Sequence, residues 1–136
     1  GDERPGMYKP FAAPWRLLWP TLWWLAVLLV VALSLVPTPQ GLDLPRNTDK
    51  VQHLLAYGVL AAAAVQVFRP GRVLLLVAVG LCALGVMLEF AQGAMTAYRQ
   101  ADPADALANA TGVLLGMATA LMPSRDLLLR WSGRRG

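Results

Sequence analysis

Charge is scarce in this sequence. Only 15% of its 136 residues are Asp, Glu, Lys or Arg, against about 25% in an ordinary soluble domain. Cysteine is scarcer still: Cys82 stands alone, which excludes an internal disulfide and a thiolate metal cluster, and it reads as a small residue in a helix interior. One histidine, His53, with no suitable cysteine argues against a zinc site. No metal and no cofactor is therefore expected. A divalent ion on the carboxylates would have to compete with Lys50 and Arg99. No serine or cysteine stands in a recognisable nucleophile setting, and the chain has neither an internal repeat nor a low-complexity segment.

What is present is apolar: 57% of the residues are hydrophobic. Four stretches carry no charge: Leu17 to Gly41, Val51 to Phe68, Val73 to Leu88 and Ala106 to Ser124. A bilayer core takes roughly 17 to 25 residues of helix, and each stretch reaches that range if a polar residue or two near an end is accepted. The expected fold is all-α, a polytopic bundle of four transmembrane helices at about 15–36, 49–68, 73–97 and 103–122. A secretory leader is the competing reading of the first stretch, since Arg16 precedes it and Ala32-Leu33-Ser34 offers a cleavage spacing. Its length favours a span. Residues 1–6, GDERPG, precede Met7 and read as an appended stretch, so the domain is expected to occupy 7–123.

The connections support this division. Trp15, Trp19, Trp23 and Trp24 crowd the start of the first helix, as an interfacial aromatic belt does. Pro37 and Pro39 end it, Arg69-Pro70-Gly71-Arg72 turns the chain back, and Pro103 suits the first position of the fourth helix. The N-terminal flank, the 69–72 turn and the tail hold Arg4, Lys9, Arg16, Arg69, Arg72, Arg125, Arg130, Arg134 and Arg135; the opposite side holds Arg46, Lys50 and Arg99. That bias places both termini, and the basic tail 124–136, on the cytoplasmic side. The formal charge of +4 is divided among membrane flanks, so no nucleic-acid face is expected. The partner is membrane lipid. The tail around Asp126 to Trp131 reads as a short interfacial helix with Leu127, Leu128 and Trp131 toward lipid.

Polar residues recur at the outward ends of helices two, three and four. Asp49, His53 and Tyr57 are spaced four apart and share a face; Glu89 and Gln92 share another; Asp105, Asn109, Gly112 and Gly116 form a third stripe. Counted at about 1.5 Å per residue, His53, Tyr57, Glu89 and Asn109 all lie roughly 6 to 12 Å deep, so one cluster is possible. A carboxylate facing lipid costs at least a few kcal/mol, which turns Glu89 inward, toward Arg99, Lys50, His53, Gln92 and Asn109. Plainer roles compete for several of these. Asp49 with Gln52, and Asp102 with Asp105, have capping-box spacing. Lys50 and Arg46 suit solvent or lipid head groups, and a lone histidine or tyrosine is often structural.

The segments DKVQHLLAYGVLA (49–61) and EFAQGAMTAYRQADPADALANATGVLLG (89–116) resemble the VanZ-like family of small bacterial membrane proteins. The resemblance falls on Asp49, Lys50, His53, Tyr57, Glu89, Gln92, Arg99, Asp102, Asp105, Asn109 and Gly112, in order and spacing, over about the middle half of the chain. It implies a ligand-binding set at these positions in a protein of the cell envelope. The family takes its name from a protein linked to low-level teicoplanin resistance, which is a phenotype without a reaction.

Three roles fit the cluster. It binds or modulates a lipid-linked envelope precursor or a glycopeptide-related ligand. Alternatively it is an enzyme, with His53, Glu89 or Asp105 doing acid–base chemistry on an anionic head group held by Arg99. In the third reading the polar network only fixes helix register. A binder leads, because no reaction-specific motif is present. Transport is the least suited, since four short helices without a half-helix repeat leave little room for a pathway.

Overall fold

The computed structural model describes residues 6–35, 48–95 and 103–135. The elements are α1 (Trp15–Leu35), α2 (Thr48–Val67), α3 (Arg72–Met95), α4 (Pro103–Ala118) and α5 (Leu127–Arg135), with 3-10 turns at Thr119–Leu121 and Pro123–Asp126. No strand occurs among the described residues. The all-helical expectation holds. Residues 36–47 and 96–102, where the outward connections are expected, lie outside the described residues.

Three helical stretches are long and apolar enough to cross a membrane: Trp15–Leu35, Arg72–Ala91 and Ala104–Leu121. The helix α2 is not among them. Its first turns carry Lys50, Gln52 and His53, and its middle is largely alanine. The reason lies in its position, because α2 supplies much of the core: Tyr57, Leu60, Ala61, Ala64, Val65 and Val67 are all buried. A helix wrapped by its neighbours has small residues where they press against it and needs no continuous greasy exterior. By contrast, α1 buries only Pro20 and Trp23 and exposes Leu17, Leu25, Leu28, Leu29 and Leu33.

Helices α2 and α4 run parallel and meet along a seam of glycines. A Cβ on Gly112 would strike the Leu54 carbonyl and come within 3.0 Å of the Gly58 nitrogen. One on Gly116 would strike the Gly58 carbonyl and lie 2.5 Å from the Ala61 Cβ. The small-xxx-small spacing of the fourth helix thus marks a backbone-to-backbone contact. Helix α3 returns antiparallel beside α4, and Gly85 gives the same clearance to Asn109, whose amide nitrogen would sit 2.8 Å from an added Cβ. The turn before α3 places Gly71 at φ +90, which only glycine adopts without strain.

The fourth helix stops short of the expected residue 122. Met122 precedes Pro123 and is extended at φ -94, ψ 152, the conformation a following proline imposes. The Thr119 hydroxyl also donates to the Gly116 carbonyl at 2.7 Å, tightening the last turn.

At this end of the bundle the chain's two terminal segments meet. The Lys9 N–H donates to Val67 O at 2.9 Å and the Arg69 N–H to Met7 O at 2.8 Å, so the N-terminal segment pairs with the end of α2. Tyr8 packs on Phe68 with ring centroids 5.3 Å apart. The Lys9 ammonium is buried and donates to Arg125 O at 2.6 Å, with Asp126 at 2.9 Å. Gln66 binds the tail twice, donating to Ser124 O at 2.9 Å and accepting from the Leu128 N–H at 3.0 Å. The tail matches the expected outward-facing helix only in part. Leu127 and Trp131 are exposed, although Trp131 also lies edge-on to Trp15 at 5.2 Å, whereas Leu128 packs against the core. Ser132 is buried and accepts from Trp19 Nε1 at 2.8 Å. A run of leucines reads equally as a membrane-facing stripe or a docking face, and only the partners distinguish the two.

Candidate functional site

The opposite end of the bundle gathers side chains from α2, α3 and α4. The parallel seam fixes their level: the contacts that pair Leu54 and Gly58 with Gly112 also set His53 beside Asn109 one turn earlier. His53 Nδ1 and Asn109 Oδ1 are 2.9 Å apart across 56 residues of sequence. Asn109 is 2% exposed, so this bond satisfies an amide that would otherwise be costly to bury. One turn nearer the helix starts, Lys50 Nζ lies 3.8 Å from Asp105 Oδ1. That is an ion pair too long for a hydrogen bond. Lys50 is more exposed than Asp105, as suits a cation at the mouth of a site and an anion within it.

Glu89 is buried at 6% exposure. Gly85 faces Asn109, and Glu89 stands one helical turn beyond Gly85 on the same face of α3. Because α3 runs antiparallel to α4, that turn brings Glu89 level with Asp105. Tyr57, one turn deeper than His53, is buried and belongs to the packed core. Of the residues expected in the cluster, Lys50, His53, Glu89, Asp105 and Asn109 thus share one end, and Tyr57 forms its floor. Arg99 and Asp102 lie outside the described residues, as do the side chains of Asp49 and Gln92. Among the described residues no group of His, Cys, Asp and Glu is arranged to hold a metal ion.

The structure adds a cavity that the spacing of polar residues does not show. About 320 Å³ opens between α1 and α2, lined by Val30, Leu33, Ser34, Gln52, His53, Ala56 and Tyr57. His53 therefore belongs to both features: one ring nitrogen meets Asn109 on α4, and the residue is among those that line the cavity. Ser34 comes from the first helix, and its hydroxyl donates to the Val30 carbonyl at 2.7 Å. The signal for it was a single hydroxyl near the end of an apolar run, easily absorbed as an ordinary helix residue.

Two further grooves are almost wholly apolar and belong to the opposite half of the molecule. One of about 550 Å³ runs between α1 and α3 past Trp24, Phe68 and Leu81, and one of about 650 Å³ between α1, α2 and α5 past Trp19, Leu60 and Trp131. The hydrogen-bonding groups are concentrated at the smaller cavity. Compared with family models, curated proteins and solved structures, the chain matches none.

Proposed function

We propose that this chain is a VanZ-like integral protein of a bacterial envelope membrane whose polar end binds the polar part of a lipid-linked or glycopeptide-related envelope ligand. In this reading all four of α1 to α4 span the bilayer. The termini are cytoplasmic, and the end bearing His53 and Asn109 faces outward. The distribution of Lys and Arg supports the orientation, and the resemblance at positions 49–61 and 89–116 supports the family. The observation that carries the binding role is His53: held by Asn109 on one side, it lines a cavity on the other. A residue serving helix register alone has no need of a cavity.

The test separates folding from function. His53→Gln, Glu89→Gln, Asp105→Asn and Asn109→Leu are each compared with the parent for thermal stability in detergent. They are also compared for retention of lipid-linked precursor and for the teicoplanin susceptibility of cells expressing them. Lost retention or altered susceptibility with stability intact supports binding. If each change that affects function also unfolds the protein, the polar end is structural.

One observation favours the enzymatic reading as a second choice. A histidine oriented through Nδ1 by a hydrogen-bond acceptor has the arrangement of a general base. Incubation of purified protein with lipid-linked precursors, followed by mass analysis, decides this. A changed substrate mass establishes turnover, and an unchanged one leaves binding.

A further inference from the structure

Given the membrane placement proposed above, and independently of any ligand at the polar end, the groove of about 650 Å³ between α1, α2 and α5 opens into hydrocarbon. It runs from Trp19 to Ala26 on α1 and from Val67 back to Val59 on α2, about 10 to 12 Å at about 1.5 Å per residue. Half of a bilayer's hydrocarbon core is about 15 Å, so the groove takes up most of one leaflet's depth. Its lining residues Leu22, Val59 and Leu127 are exposed, which leaves it open to the side.

Three polar side chains of the lining are engaged within the protein. Gln66 binds Ser124 and Leu128 of the tail, Trp19 Nε1 donates to Ser132 at 2.8 Å, and Trp23 Nε1 donates to the Leu60 carbonyl at 2.9 Å. What they leave to an occupant is aliphatic and ring surface. The α5 end of the groove differs in kind. Trp15 and Trp19 stack at 5.1 Å, and Trp131 meets them at 5.2 and 6.1 Å, as aromatic side chains gather at a membrane interface. Next in the chain to these tryptophans stand Arg16 and Arg130, and Arg125 begins the tail; all three are exposed. Arg130 spends one donor on the Pro123 carbonyl at 3.3 Å, out of the five that a guanidinium carries. Among the described residues the carboxylate of this end is Asp126, and Lys9 holds it at 2.9 Å. Positive charge is therefore in excess above an apolar slot.

We infer, on the strength of that placement, that the groove between α1, α2 and α5 seats an acyl chain of an anionic phospholipid whose phosphate is bound by Arg16 and Arg130. Guanidinium forks suit phosphate oxygens. A zwitterionic lipid fills the slot equally well but brings no net charge to the arginines. The tail acts as a clasp in this arrangement. Lys9 and Gln66 fasten it to the bundle, and α5 supplies both the third wall, through Leu127 and Trp131, and one of the cations.

All five tryptophans, Trp15, Trp19, Trp23, Trp24 and Trp131, belong to α1 and α5, so fluorescence reads this end without added labels. The full chain is placed in nanodiscs of phosphatidylcholine, and lipid brominated on its acyl chains is titrated in as phosphatidylglycerol or as phosphatidylcholine. Brominated phosphatidylglycerol is expected to quench at the lower mole fraction. Arg130→Gln and Arg16→Gln should each weaken that preference about fivefold, the loss of one basic residue at an anionic surface. Arg72→Gln alters an exposed arginine at the start of α3, outside this groove, and should leave the preference intact. Ala63→Phe fills the groove and should remove the preference with the thermal midpoint in detergent retained. Should that variant unfold, the exposed Arg130→Gln still decides. Equal quenching by the two lipids overturns the inference and leaves the membrane placement standing. An equal loss in Arg72→Gln overturns it as well, since the charge then acts diffusely. Quenching by neither lipid, with a dimer in native mass spectrometry, overturns it in favour of a second copy of the chain. Quenching by neither, in a monomer that alkaline carbonate releases from vesicles, sinks the membrane placement itself.

Discussion

The two ends of this bundle are polar in different ways. At the end where Lys9 meets the tail, several side chains bind backbone: Lys9 holds the Arg125 carbonyl, Gln66 holds Ser124 and Leu128, and Trp23 Nε1 donates to the Leu60 carbonyl at 2.9 Å, beside the side-chain pairs Lys9–Asp126 and Trp19–Ser132. At the other end the resolved contacts join side chain to side chain across helices, Lys50 to Asp105 and His53 to Asn109. Backbone carbonyls and N–H groups are obligatory partners, and using them fastens a segment in place. Pairs of side chains can exchange partners without moving the backbone. In the proposed reading the first end is built to close, and the second keeps groups that a ligand can engage.

The sharpest way to break this contrast is to spoil what both ends depend on. Gly116→Leu drives a side chain into the Gly58 carbonyl, where the backbone has little room to give. Overpacking costs about 1–3 kcal/mol in ordinary cores, and contact with backbone puts this case at or above the upper figure. The thermal midpoint in detergent should fall furthest for this variant of all those named here.

Lys9→Met comes next and should act on one end only. It removes a buried, charge-assisted hydrogen bond of a kind worth about 1.5–3 kcal/mol. Faster tryptic cleavage at Arg130 is the expected readout, with retention of lipid-linked precursor unchanged. Cleavage at the parent rate would mean that Gln66 and Trp19 suffice to hold the tail. Asn109→Leu should do the converse, costing about 1–2 kcal/mol as interhelical hydrogen bonds in membranes do. The contact with His53 is lost and tail cleavage is unaltered.

Acid should loosen the tail by a smaller amount. The hydrogen bond from Lys9 holds the Asp126 carboxyl below its ordinary value, helped by the charges of Lys9, Arg125 and Arg130 against the opposing effect of burial. A depressed folded value means that the stabilisation is complete above the unfolded carboxylate pKa, near 4, and is lost as pH falls through the folded one. Tail docking, followed by tryptophan fluorescence, is thus expected to stay flat from neutral pH to about 4 and to weaken below it. Asp126→Asn should remove that step. Asp126 is 42% exposed, so solvent screening keeps the effect modest. Smallest of all is Lys50→Met, whose long and partly exposed ion pair is worth at most about 1 kcal/mol.

Helices one and three were plain from the sequence because nothing polar interrupts them until their ends. Counting depth along helices of alternating direction placed His53 and Asn109 at one level, but not their contact with each other. Helix two was harder to read. Its alanines signal close packing rather than lipid, so composition places it less firmly in a membrane than its burial at the centre would suggest. The cavity escaped because it needs Ser34 from α1, whose distance from α2 no single-helix periodicity records. The docking of the tail escaped for a similar reason. Leu128 and Trp131 have the spacing of a lipid-facing stripe, and only Gln66 and Trp19, far away in the chain, reveal another use.

The glycine seam also bears on how such a chain is made. In the proposed four-span arrangement, α2 emerges before α4 and is the least apolar of the four, and the residue that pairs with its His53 lies 56 residues later. In that arrangement α2 gains its close-packed partner only once α4 has been synthesised, so the order of synthesis makes α4 the piece that locks its predecessor in place.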